Sequence, residues 1–104
     1  MIGYSDTLPE LIRHRAGKLR LKYDATQVEG PEGQVQYRFN YCDVQERPTR
    51  GQIIDAIIAG VYPKDAEIAL INNEIASPGT PEYSEYQAYR AHAKELAGKV
   101  LEAL

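Results

Sequence analysis

The hydrophobic period of this chain changes once, close to residue 48, and that change constrains the fold more than any other feature. Before it, Leu19, Leu21 and Tyr23 alternate with Lys18, Arg20, Lys22 and Asp24. After Glu29-Gly30-Pro31-Glu32-Gly33, Val35, Tyr37, Phe39 and Tyr41 alternate with Gln34, Gln36, Arg38 and Asn40. A period of two is that of a half-buried strand, and aromatic side chains favour strands. The Gly-Pro-Glu-Gly segment has turn chemistry, so residues 18–44 are expected to form an antiparallel hairpin. Val28 is out of phase with Tyr23, which requires either a bulge or a strand end near Asp24.

From Thr49 the period becomes helical. Thr49 and Gln52 match the capping box, in which each side chain satisfies a free amide at a helix start. Ile53, Ile54, Ile57, Ile58, Val61 and Tyr62 then form an apolar stripe, and Pro63 stops this helix or starts the next. Ala66, Ala69, Leu70 and Ile75, widened by Ile68 and Ile71, supply the face of a second helix that ends before Ser77-Pro78-Gly79. Thr80-Pro81-Glu82 starts a third, with a capping threonine, proline at the first helical position and an acid at the positive end of the dipole. Tyr86, Tyr89, Ala93, Leu96 and Val100 carry its stripe almost to the C-terminus, broadened by Tyr83, Ala97, Leu101 and Leu104. Residues 7–16 are expected to form one or two further helical turns, capped by Thr7 and ended by Gly17. The reading is an α+β chain in one domain, 1–104: a short N-terminal helix, a hairpin (18–44), then three helices (49–104), the last the longest.

Composition excludes several classes. With 104 residues, 43% hydrophobic and 26% charged, the chain falls in the ordinary globular range. No apolar run approaches the ~20 residues of a membrane span, and the N-terminus lacks the basic-then-apolar pattern of a signal peptide. The one cysteine, Cys42, rules out an internal disulfide and a four-thiolate zinc site. A cytoplasmic location is the default expectation.

No constellation for catalysis emerges. His14 and His92 are isolated, without the spacing that brings two metal ligands onto one helical face. Cys42, on the polar phase of its strand beside Asp43, has no identifiable base to activate it. Asp55 reads as a solvated helix residue, and the glycines form no phosphate-binding loop. No cofactor and no metal site is expected, and an enzyme would need a site assembled across an oligomer.

Two features could bind something. Arg13, Arg15, Lys18, Arg20 and Lys22 form a basic cluster with no acid between Leu11 and Tyr23, in a chain of net charge −3. A basic sheet face can track phosphates, but the alternation places Tyr37, Phe39 and Tyr41 on the other face, away from these cations. Lysine and arginine on a strand also discourage edge-to-edge aggregation. The second feature is eight tyrosines against one phenylalanine and no tryptophan. Tyr83, Tyr86 and Tyr89 either pack at the helix start with their hydroxyls in water or form an interface.

The run Ile53-Ile54-Asp55-Ala56-Ile57-Ile58, then Tyr62, Glu67-Ile68-Ala69-Leu70-Ile71-Asn72, Glu82-Tyr83, Tyr86-Gln87-Ala88-Tyr89-Arg90 and Ala93-Lys94 resembles a group of small phage- and prophage-encoded proteins of unassigned activity, often found near tail genes. The resemblance covers residues 49–100 and brings no catalytic or ligand residue. It implies an accessory or assembly factor, cytoplasmic or virion-associated. The leading expectation is therefore a non-enzymatic protein-interaction module, paired with another protein or with itself through the tyrosine-bearing helix or an open sheet edge. The alternative is a small nucleic-acid-binding regulator using residues 13–22.

Overall fold

A computed structural model describes all residues, Met1–Leu104. The chain is α+β: strands β1 (Ile2–Ser5), β2 (Ile12–Arg15), β3 (Lys18–Glu29) and β4 (Val35–Gln45) precede helices α1 (Arg50–Ala59), α2 (Lys64–Ala76) and α3 (Pro81–Ala103). The sheet is antiparallel throughout, in the order β1-β4-β3-β2. β2, β3 and β4 form a meander, and β1 joins it on the far side of β4.

The expected N-terminal helix is absent. Residues 12–15 are instead a strand paired with β3, Ile12 opposite Leu21 and Arg15 opposite Lys18. Ala16 and Gly17, both at positive φ (35° and 81°), make the two-residue turn between them. A turn with two positive φ values matches the twist of a hairpin, so Gly17 connects strands and does not end a helix. The physical reason is that a ten-residue helix is marginal alone, whereas the same residues cover the edge of β3 and half-bury Leu11 and Ile12.

The expected hairpin exists within this larger sheet. Its pairing runs from Lys18–Gln45 to Glu29–Val35, with a register shift between Tyr23 and Thr26 that inserts one extra residue into β3. That bulge accounts for the phase of Val28. Asp24 takes φ 54° within it, and its carboxylate lies 2.7 Å from His92 Nε2 on α3.

The helices cover one face of the sheet. Leu19, Leu21, Tyr23, Cys42 and Val44 meet Ile53, Ile57 and Ile58 of α1 and Tyr86, Ala93, Leu96, Ala97 and Val100 of α3 in a continuous core. The capping box of α1 is formed: Gln52 N–H donates to Thr49 Oγ1, and Thr49 N–H to the Gln52 side chain. At α3, Pro81 takes the first helical position as expected, but the Thr80 hydroxyl does not cap its own helix. It donates to Glu74 of α2, whose carboxylate also accepts the N–H groups of Gly79 and Thr80. Leu101 and Leu104 stay exposed beyond the core.

α2 departs most from expectation. None of its residues is buried: of the face read as a second core stripe, Ala66 and Leu70 are half-buried and Ile68, Ala69, Ile71 and Ile75 stay exposed. Its half-buried side chains are Ala66, Glu67, Leu70 and Glu74, and it packs chiefly on α3.

Candidate interaction surfaces

The tyrosine row closes an internal joint. Tyr86 is 1% exposed, within the core. Its hydroxyl donates to the Glu67 carboxylate on α2 and accepts from Arg90 Nη1 at 3.4 Å. Burial first, then the Glu67 carboxylate, raises the phenol pKa above its ordinary value, which keeps the donor protonated. Tyr62, after α1, packs edge-on against Tyr86 at 5.1 Å and tilted against Tyr89 at 5.7 Å. Tyr83 lies 6.1 Å from Tyr86, and the Tyr89 hydroxyl donates to the Ile57 carbonyl at 3.4 Å. Such aromatic pairs contribute roughly 0.5–1.5 kcal/mol beyond area burial. Of the expected interface residues, Tyr86 is therefore committed to the fold, while Tyr83 and Tyr89 are half-buried beside it.

The apolar surface that remains open is on α2. Ile68, Ile71 and Ile75 are 51%, 38% and 75% exposed. Spacings of three and four place them on one stripe of the helix, turned away from the Leu70 side that meets α3. The sequence shows these isoleucines plainly; it does not show that Ala66, Glu67, Leu70 and Glu74 would be the residues facing the body.

The basic cluster is assembled as expected and has company that the alternation hid. Paired residues of an antiparallel sheet project from the same face. Arg13 pairs with Arg20, Arg20 with Asp43, Arg15 with Lys18, and Lys22 with Tyr41. All five cations therefore share the open face of the sheet, opposite the core, and Phe39 and Tyr41 are there with them. The Arg20 guanidinium lies over the Tyr41 ring at 4.5 Å, and the Lys22 ammonium over Phe39 at 5.3 Å. Arg20 also donates through Nε and Nη2 to the two oxygens of Asp43, at 2.9 and 3.1 Å. That pair raises the Arg20 pKa and holds Asp43 below the ordinary carboxylate value.

The expectation that the aromatics lie away from the cations is thus wrong. β4 changes its apolar phase at residue 41: Phe39 and Tyr41 project from the open face, Cys42 and Val44 from the core face. Cys42 is accordingly buried and its thiol pKa is pushed up to about 11, first by burial and then by Asp43. It is a packing residue, not one on a polar face.

A concavity of about 280 Å³ opens on this face, lined by Arg13, Arg15, Arg20, Lys22, Phe39 and Tyr41 together with Ile2, Gly3 and Tyr4. No carboxylate lines it. A Cβ added to Gly3 would lie 2.6 Å from Phe39 Cζ, so the glycine is what lets that ring lie across β1. Another concavity, of about 360 Å³, mixes Asp55 and Glu67 with Lys64 and Arg90 and has no charge preference. No group of three His, Cys, Asp or Glu side chains is placed to hold a metal ion. No helix is long and apolar enough to cross a membrane. Comparison with protein-family models, curated proteins and solved structures finds no match.

Proposed function

We propose that the chain is a non-enzymatic protein-interaction module that assembles through α2, first of all with a second copy of itself. The observation that carries this reading is the exposed stripe Ile68, Ile71 and Ile75 on a helix with no buried residue. A contiguous apolar patch on a soluble surface marks an interaction site far more often than isolated exposed side chains do. An apolar stripe is also complementary to its own copy, which makes a two-fold pairing the simplest arrangement. The resemblance of residues 49–100 to small phage-encoded proteins supports a role as a structural or tail-assembly accessory factor. The tyrosines contribute indirectly, by clamping α2 to α3 through Tyr86 and Glu67.

Six isoleucines at a two-fold contact give a gross burial term on the order of 10 kcal/mol, at 1.5–3 kcal/mol for each side chain fully buried. Association entropy offsets about 4–15 kcal/mol. The difference is at most about 6 kcal/mol, so self-association is expected to be weak, at roughly tens of micromolar or above. Light scattering over a concentration series tests it. A rise in mass that the double variant Ile68→Glu/Ile75→Glu abolishes supports the reading. A wild-type chain that stays monomeric throughout contradicts it.

A further inference from the structure

The open face of the sheet shares no residue with α2. We infer that it binds single-stranded nucleic acid, with one base stacked on the tier formed by Tyr41 and Arg20 and successive phosphates held by Arg13 and Arg15, Lys18 lying across from Arg15.

The division of labour follows from what each cation already touches. Arg20 is matched by Asp43 through two hydrogen bonds, so its charge is largely answered within the protein. What those bonds leave is a planar guanidinium, fixed in place over the half-buried Tyr41 ring. A guanidinium plane backed by an aromatic ring is a stacking surface for a base. Arg13, Arg15 and Lys18 are exposed and make no ion pair. They are the charges free to meet phosphate. Alternate residues of a strand are about 6.8 Å apart, close to the separation of successive phosphates in an extended strand, and Arg13 and Arg15 have that spacing along β2.

Charge complementarity fixes the class of ligand. Besides the matched Arg20, the concavity is lined by Arg13, Arg15 and Lys22 and by no carboxylate, within a chain of net charge −3, so the positive potential is local and its ligand is anionic. The aromatic floor between the cations decides among anions. An acidic peptide or a duplex backbone would satisfy Arg13, Arg15 and Lys18 but offer nothing flat to the Tyr41 tier. Among these polymers, the unpaired strand is the one that presents phosphate and an accessible base together.

The test is fluorescence anisotropy with the full chain and three labelled probes of equal length: an oligothymidylate, the same backbone without bases, and a duplex. The oligothymidylate is expected to bind at least tenfold more tightly than either of the others. Tyr41→Leu should cost roughly tenfold on the oligothymidylate and nothing on the baseless strand, while Tyr41→Phe, which keeps the ring, restores binding. Arg13→Gln/Arg15→Gln should weaken both single-stranded probes and reduce the slope of log affinity against log salt by about 1.4, at ~0.7 for each phosphate contact to a single strand. Circular dichroism of each variant separates lost binding from lost fold. Equal affinity for all three probes, or equal competition by poly-glutamate, makes this face a general anion surface and overturns the inference. Absence of binding, or binding indifferent to Arg13 and Arg15, overturns it as well. None of these outcomes bears on self-association through α2.

Discussion

Ala16 shows how much a single residue holds in this fold. It takes φ 35° in the two-residue turn between β2 and β3, a region that costs an L-residue with an ordinary side chain about 1–2 kcal/mol. Asn-Gly is the pair this turn prefers, and Gly17 is already present. Ala16→Asn is expected to raise stability by about 1 kcal/mol, read as a higher urea midpoint at unchanged slope; an unaltered midpoint would mean that the turn is not strained. Cys42 gives a second residue-scale outcome. Buried, with its thiol pKa raised to about 11, it is expected to resist thiol-directed reagents at neutral pH until the chain is unfolded by denaturant. Fast labelling of the native protein would contradict the packing assigned to it. Neither property is visible in the sequence. Ala16 lies in a segment whose composition suits a helix start, and Cys42 follows an alternation that points the opposite way.

At the scale of elements, α2 and α3 are joined by two carboxylates, Glu67 at the Tyr86 hydroxyl and Glu74 at the start of α3. Glu74 accepts hydrogen bonds from Gly79 N–H, Thr80 N–H and the Thr80 hydroxyl, and the two backbone donors hold its pKa below the ordinary glutamate value. Asp43, facing Arg20, is likewise lowered. A depressed folded pKa adds stability above the unfolded value, here 4.5 for Glu74 and 3.8 for Asp43, and that stability is lost as pH falls through the lower folded value. Melting temperature is therefore expected to drop from about pH 5 downwards, and Glu74→Gln should lower it at neutral pH while flattening this acid limb. A wild-type acid limb retained in full by Glu74→Gln would remove Glu74 from the account. The α1 and α3 starts were legible because their signals are local: the Thr49–Gln52 capping box and the proline at the first position of α3 are short-range patterns, although the Thr80 hydroxyl bonds Glu74 and does not cap α3. The four-residue strands β1 and β2 were not, since neither holds enough residues to establish a period, and Arg13-His14-Arg15 becomes a strand only because β3 offers an edge. β4 misled for a different reason. Its longest alternation, Val35 to Tyr41, ends on the open face, and only Cys42 and Val44 continue the core. The basic cluster was legible as composition, but its aromatic floor depended on register, which no single strand encodes.

The whole molecule is broad and thin, 46 × 37 × 21 Å, with a radius of gyration of 15.7 Å against about 13 Å for a compact chain of this length. Only 15 of 104 residues are buried. The shape has a direct cause: α1 and α3 cover one face of the sheet, nothing covers the other, and α2 stands outside the core. A chain built this way leaves two surfaces unfilled, and they differ in chemistry. One is a cationic sheet face floored by Phe39 and Tyr41; the other is the isoleucine stripe of α2. Segregating them lets the two act separately, because substitutions on α2 touch none of the residues that line the sheet concavity. The central proposal is that the stripe is an assembly surface, and solution mass tests it most directly. Light scattering of the wild-type chain and of Ile68→Glu/Ile75→Glu, both from low to high micromolar concentration, should show a mass that climbs towards a dimer in the first and stays at 11.7 kDa in the second. A wild-type mass fixed at the monomer value, or a dimer that the double substitution leaves intact, would contradict it.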